Sequence, residues 1–164
     1  MGTQIPGEER TAVRRGDLAP DFTAPDQTGT DVALSHLLAD GPVVLFFYPK
    51  AFTPGCTMES CHFRDLGAGY ETAGVRRVGI SADAVDRQAD FAERNDLDYP
   101  LLSDPDRSIA ARYGVKRPGP LSNRRKTFVI GTDRRIIEII GSEFDMNVHA
   151  DAALDAARSV NDPN

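Results

Sequence analysis

Residues 43–48 are six apolar residues in a row, rich in β-branched and aromatic side chains, and predict a strand buried on both faces. Residues 75–81 read as a second buried strand. Between them, from Thr53 to the glycines at 69–74, apolar positions recur at helical spacing, so a helix crosses over and the two strands pair in parallel. Upstream, residues 22–24 and 31–33 flank Asp26-Gln27-Thr28-Gly29, which predicts a β-hairpin, and Ser35 is placed to cap a short helix ending near Asp40-Gly41. Downstream the pattern predicts a helix over 84–95 with Val85 and Phe91 inward, an extended segment at 99–102, and a short helix capped by Asp104 and running to Arg112. A Pro- and Gly-rich loop follows at 116–123. The chain then reads as a hairpin of 126–130 and 135–140 around Gly131-Thr132-Asp133-Arg134, and a final helix over 148–160 with Val148, Ala152, Leu154 and Ala156 on one face. Residues 1–15 have no periodicity and read as a flexible tail. The fold class is α/β, one domain over 16–164 with a mixed central sheet between helices.

Composition narrows the function without choosing it. The 164 residues carry a net charge of −6, and the arginine pairs are scattered rather than gathered into a basic run, which argues against a nucleic-acid partner. No apolar run approaches the roughly 18 residues that a membrane helix needs. Two cysteines are too few for a secreted disulfide framework, and the first fifteen residues lack the apolar segment of a signal peptide. A reducing cytoplasm is the expected setting, where a close cysteine pair serves catalysis or metal binding.

The two cysteines, Cys56 and Cys61, fall where the first strand gives way to its helix. Pro49 ends the strand because it has no N–H for the ladder. Thr53 followed by Pro54 is a helix start, so Cys56 sits in the first turn, where unpaired N–H groups and the helix dipole favour a thiolate. At 100° per residue Phe63, Leu66 and Tyr70 share a stripe with Glu59, while Cys61 points nearly the opposite way. Neither cysteine lies at the centre of the apolar stripe, which points to a nucleophile rather than a core filler. A metal reading that adds His36, His62 and His149 fails on spacing, since Cys-x4-Cys lacks the paired ligands of a structural zinc site; His62 is expected at the surface.

Pro49-x-x-x-Thr53-x-x-Cys56 resembles the active-site motif of peroxiredoxins, and a second cysteine five residues on resembles their Q-type, or bacterioferritin-comigratory, branch. The resemblance runs from about Gly16 to the end and includes Phe47-Tyr48-Pro49-Lys50, Gly79-Ile80-Ser81, Tyr99-Pro100-Leu101-Leu102-Ser103-Asp104 and Arg125-x-Thr127-Phe128. Ala51-Phe52 departs from the polar pair usual in that loop, and Gly131 from the usual aspartate. The resemblance implies a thioredoxin-like fold with an N-terminal β-hairpin. It also implies reduction of hydrogen peroxide or organic hydroperoxides by Cys56, with Thr53 as a hydroxyl donor and Pro49 shielding the sulfur.

Arg125 is the implied cation. Strand alternation puts it on the face of Thr127 and Val129 and turns Arg124 and Lys126 away. Glu59, by resemblance, orients Arg125, and Cys61 resolves the oxidised Cys56 as a disulfide that thioredoxin or a similar dithiol resets. No metal, haem or flavin is implied, and the branch contains monomers and homodimers. Competing classes are a thiol–disulfide oxidoreductase, which normally uses Cys-x-x-Cys, and a redox-sensing or holdase-like binding module. Five residues of helix separate two Cα atoms by roughly 8 to 9 Å. A disulfide needs about 7 Å or less, so this pair is expected to close only if the helix unwinds.

Overall fold

The computed structural model describes residues 13–142 and 145–161. Five strands form one mixed sheet in the order β5 (Leu101–Ser103), β4 (Arg76–Ser81), β3 (Val43–Phe47), β6 (Lys126–Ile130), β7 (Ile136–Gly141). The first three pair in parallel and the last two run antiparallel to their neighbours. A separate hairpin of β1 (Thr23–Pro25) and β2 (Asp31–Ala33) leads into α1 (Leu34–Leu38). The remaining helices are α2 (Pro54–Asp65), α3 (Gly67–Ala73), α4 (Val85–Arg94), α5 (Ser108–Arg112) and α6 (Met146–Asn161).

The unbroken apolar run of β3 has the cause expected of it, because the strand is covered on both sides. Val43, Leu45 and Phe47 pack with the hairpin, α1 and α5, including Leu34, Ile109 and Tyr113. Val44, Phe46 and Tyr48 pack with α2, α3, α4 and α6, including Phe63, Tyr70, Phe91 and Leu154. Phe46 stacks on Phe63 with ring centroids 4.1 Å apart, which fixes α2 against the sheet.

Several local expectations shift. Residues 1–12 of the expected tail lie outside the described residues, but Val13 packs against the core and the Gly16 N–H donates to the Ile136 carbonyl at 2.8 Å. The folded part therefore includes Val13. Ser35 is not a cap: α1 starts at Leu34, whose N–H donates to the Phe22 carbonyl (3.1 Å) in place of a side-chain cap. The cysteine helix is two helices, broken at Leu66. There the buried Arg77 donates to the Phe63 carbonyl (2.9 Å), an acceptor that a continuous helix would give to the Gly67 N–H.

Asp104 does cap α5, accepting from the Ile109 and Ala110 N–H groups at 3.2 and 2.9 Å. On α4, Val85 is only half-buried. Gln88 is the buried neighbour of Phe91, bonded to the Tyr48 hydroxyl at 2.5 Å, to Ser81 at 3.0 Å and to the Leu102 carbonyl at 2.8 Å. The inward face of α6 includes His149, Ala150, Ala153, Leu154 and Ala157; of the expected stripe only Leu154 is on it, and Val148, Ala152 and Ala156 give way to the residues that follow them. The alanines let α6 lie close against α2 and the sheet.

Gly41, between α1 and β3, has φ 143°, and a Cβ there would sit 2.3 Å from the Gly74 carbonyl oxygen. Backbone cannot yield as a side chain can. Gly41→Ala is expected to lower unfolding free energy by about 3 kcal/mol. Gly29→Ala, at φ 83° in open space, should lose only the conformational cost of about 1 kcal/mol. Urea denaturation of both variants checks this, and equal losses would contradict it.

Candidate active site

The chain between β3 and α2 is held from below by the segment that follows β4. The Ala51 N–H donates to Asp83 Oδ2 at 2.8 Å, and the Ser81 hydroxyl donates to the same oxygen at 2.6 Å. Phe52 takes a positive φ of 69°, and its ring lies against α4, with the Arg87 and Arg94 guanidinium carbons 4.8 and 5.5 Å from its centroid and Phe91 edge-on at 5.3 Å. The Ala51-Phe52 pair thus anchors the loop to α4. Pro49 is half-buried just past the strand end.

Thr53 is the N-cap of α2 with extended backbone and Pro54 follows it, as the sequence predicts. Its hydroxyl makes no cap hydrogen bond; it donates to the Lys50 carbonyl at 2.8 Å, closing the tight loop behind it. Cys56 is in the first turn and fully buried.

Arg125 enters from the residue just before β6. Its Nη2 is 3.3 Å from Cys56 Sγ, and its Nη1 donates to Glu59 Oε1 at 2.6 Å. Glu59, one turn after Cys56, is fully buried, and Arg125 is only 6% exposed. Burial alone would lower the Arg125 pKa, but the Glu59 carboxylate and the Cys56 sulfur outweigh it, and the net direction is upward. The guanidinium is a fixed cation. The alternation expected for this strand holds: Arg125, Thr127 and Val129 are buried on the Cys56 side, while Arg124 is exposed and Lys126 half-buried. Gly55 completes the fit, since a Cβ there would lie 3.2 Å from Arg125 Nη2 and 3.3 Å from Met146 Sδ.

Cys61 is elsewhere. It is half-buried, 3.7 Å from Asn95 Oδ1, and both cysteines are free thiols on an unbroken helix. Around it the Tyr99 hydroxyl donates to the Ser60 carbonyl at 2.7 Å and Arg64 donates to the Asn95 carbonyl at 2.6 Å.

Sequence reasoning weighed His149 only as a metal ligand. The residue is fully buried beside this cluster, bonded to Thr127 Oγ1 and to the Ser142 carbonyl at 2.8 Å each, with Nδ1 3.6 Å from Glu59 Oε2. The signal was available in its spacing with Ala150, Ala153, Leu154 and Ala157, which mark an inward helical face. His62 lies at the surface, half-buried and 3.0 Å from Asp151, and His36 is exposed. Among the described residues no helix is long and apolar enough to cross a membrane, and no cluster of three or more His, Cys, Asp or Glu is arranged to hold a metal ion.

The AhpC/TSA family model matches residues 15–139. The chain belongs to the AhpC/TSA family of peroxiredoxins. It is 36% identical over 148 residues to peroxiredoxin Bcp of Escherichia coli, covering 87% of this chain and 94% of that one. Among solved structures it is similar to peroxidoxin BcpB from Mycobacterium tuberculosis, at 54% identity and TM-score 0.86, covering 89% of this chain and 97% of that one. It is also similar to the bacterioferritin comigratory protein of Xanthomonas campestris, a protein with alkyl peroxide reduction activity, at 27% identity and TM-score 0.79 over 85% of this chain and 92% of that one. The fold is thus the thioredoxin-like fold of peroxiredoxins with its N-terminal hairpin, and the chain is a thiol peroxidase by family.

Within that peroxiredoxin frame, the buried Arg125–Glu59 pair makes a stability prediction. Glu59→Ala leaves a buried guanidinium without its carboxylate and is expected to cost about 3 to 5 kcal/mol in denaturant unfolding of the reduced protein. The double variant Glu59→Ala, Arg125→Ala should lose less than the sum of the two single changes, because no unpaired charge remains. Additive losses would show that the pair is not coupled.

Proposed function

We propose that this peroxiredoxin reduces hydrogen peroxide and organic hydroperoxides with Cys56 as the peroxidatic nucleophile and Cys61 as the resolving cysteine. The observation that carries the reading is the 3.3 Å approach of Arg125 Nη2 to Cys56 Sγ at the first turn of α2. In the first step the Cys56 thiolate attacks one peroxide oxygen and the O–O bond breaks. The leaving alkoxide or hydroxide takes a proton to become an alcohol or water, and Cys56 becomes a sulfenic acid. Negative charge grows on the leaving oxygen, and a cation already in place stabilises it without reorganisation. Arg125 supplies that cation and Glu59 keeps it aimed. Thr53 turns its hydroxyl from the Lys50 carbonyl to the peroxide, and Pro49 keeps water off the sulfur.

In the second step the Cys61 sulfur attacks Cys56, water leaves, and a disulfide forms. With α2 intact the two sulfurs cannot meet, so the helix unwinds and gives up the Tyr99–Ser60 and Arg64–Asn95 contacts. Each lost hydrogen bond is worth about 1 kcal/mol net, a modest cost against a covalent bond. Thioredoxin or a similar dithiol then exchanges the disulfide and returns both thiols, a cycle that suits a reducing cytoplasm. Both cysteines lie on one chain, so the cycle is complete in a monomer and unchanged in a homodimer.

The test couples peroxide consumption to thioredoxin, thioredoxin reductase and NADPH. Wild type should turn over, Cys56→Ser should not, and Cys61→Ser should consume about one peroxide per chain and then lose at least about tenfold in coupled turnover. Activity retained in Cys56→Ser would move the chemistry elsewhere. Full turnover in Cys61→Ser would remove it from the cycle and leave Cys56 to be reset directly by the external thiol.

A further inference from the structure

The roles above leave His149 without one, although it is a fully buried titratable side chain next to the reacting cluster. Its ring is fixed at both nitrogens. The Ser142 carbonyl can only accept, so Nε2, at 2.8 Å from it, donates, and Nδ1 is hydrogen-bonded to the Thr127 hydroxyl at 2.8 Å. The same Nδ1 lies 3.6 Å from Glu59 Oε2, too long for a hydrogen bond, so the ring stands against that oxygen as a packing neighbour. Glu59 Oε1 holds Arg125.

We infer that His149 is a positioning residue for peroxide reduction, acting through Glu59 on Arg125. A carboxylate at the end of a flexible side chain has to be kept from rotating if one of its oxygens is to stay on a guanidinium. The ring occupies the space on the far side of the Glu59 carboxylate, and it cannot swing away because β6 holds one nitrogen and the segment after β7 the other. Thr127 lies two residues beyond Arg125 on the same face of the chain, so the ring is referenced to the strand that carries the cation. Helix α6 is in turn tied to α2 and α3, through the Tyr70 hydroxyl on the Ala150 carbonyl at 2.8 Å and His62 beside Asp151 at 3.0 Å. One ring therefore fixes the helix bearing Glu59 relative to the strand bearing Arg125. The inference rests on the roles proposed for Glu59 and Arg125.

A double-mutant cycle separates this role from plain core packing. The chain has no tryptophan, so oxidation of Cys56 is followed by quenched mixing with hydrogen peroxide, thiol alkylation and mass spectrometry. His149→Gln can keep a donor toward Ser142 but cannot also face Glu59, and it is expected to slow Cys56 oxidation about tenfold. Glu59→Gln should slow it at least as much, and the double variant should lie within about twofold of Glu59→Gln alone. His149→Gln at the wild-type rate with Glu59→Gln slow overturns the inference and leaves the reading of Glu59 standing. Glu59→Gln at the wild-type rate overturns both. Losses that multiply in the double variant show that His149 does not act through Glu59 and overturn the inference as well. Should His149→Gln fail to fold, Thr127→Val, which removes the hydroxyl holding Nδ1 at nearly constant shape, is expected to slow oxidation about threefold; a wild-type rate there is equally fatal.

Discussion

A guanidinium inside a protein has to be met by negative charge, and the burial of Arg125 is the constraint around which this site is arranged. Desolvating a cation costs several kcal/mol unless good partners replace the water. Glu59 at 2.6 Å is such a partner, and the guanidinium also reaches the Cys56 sulfur at 3.3 Å. Both stand on one face of α2, one turn apart, so a single helix meets both arms of the fork. The sheet does the rest. Antiparallel pairing of β6 with β3 places the chain entering β6 beside the chain leaving β3, where Phe47 lies opposite Lys126. The loop into α2 starts from that same end of β3.

The helix that places Cys56 also carries Cys61, and under the proposed cycle those two duties conflict. Its division at Leu66 eases the conflict. Arg77, taking the Phe63 carbonyl, ends α2 at Asp65, while α3 is separately held by the Tyr70 hydroxyl on α6 and by the left-handed turn at Gly74. Unwinding can then be confined to α2 and leave the core contacts of Tyr70 in place. The contacts around Cys61 come from Asn95 at the C-terminal end of α4 and from Tyr99 just beyond it, the kind of local cluster that opens at less than the global unfolding free energy.

Much of this was legible because the residues concerned answer to local rules. The apolar run at 43–48 is a strand with both faces covered, 75–81 holds its parallel neighbour, and period-two alternation supported the choice of Arg125 over Arg124 that the family pattern made. Thr53-Pro54 located the helix start. What the sequence hid depends on tertiary neighbours. Glu59 shares the apolar stripe of Phe63 and Tyr70, but nothing local names the cation that meets it there, because Arg125 lies 66 residues away. Gln88 reads as a surface residue of α4 until Tyr48 and Ser81 are placed beneath it. The Thr53 hydroxyl follows its loop rather than its helix, and the break at Leu66 is made by Arg77 from a neighbouring strand. His149 was weighed only as a metal ligand, and the groups it meets include residues on β6, on α2 and just after β7.

That a preorganised cation makes Cys56 reactive is the claim on which the rest hangs, and the two adjacent arginines test it most directly. The measurement is the second-order rate constant for hydrogen peroxide oxidation of Cys56 in reduced Arg125→Ala and in reduced Arg124→Ala, each with its thermal unfolding recorded. The account predicts a loss of at least about tenfold for Arg125→Ala and a rate near wild type for Arg124→Ala, whose side chain is exposed. Equal rates in the two variants, or the larger loss in Arg124→Ala, would contradict it.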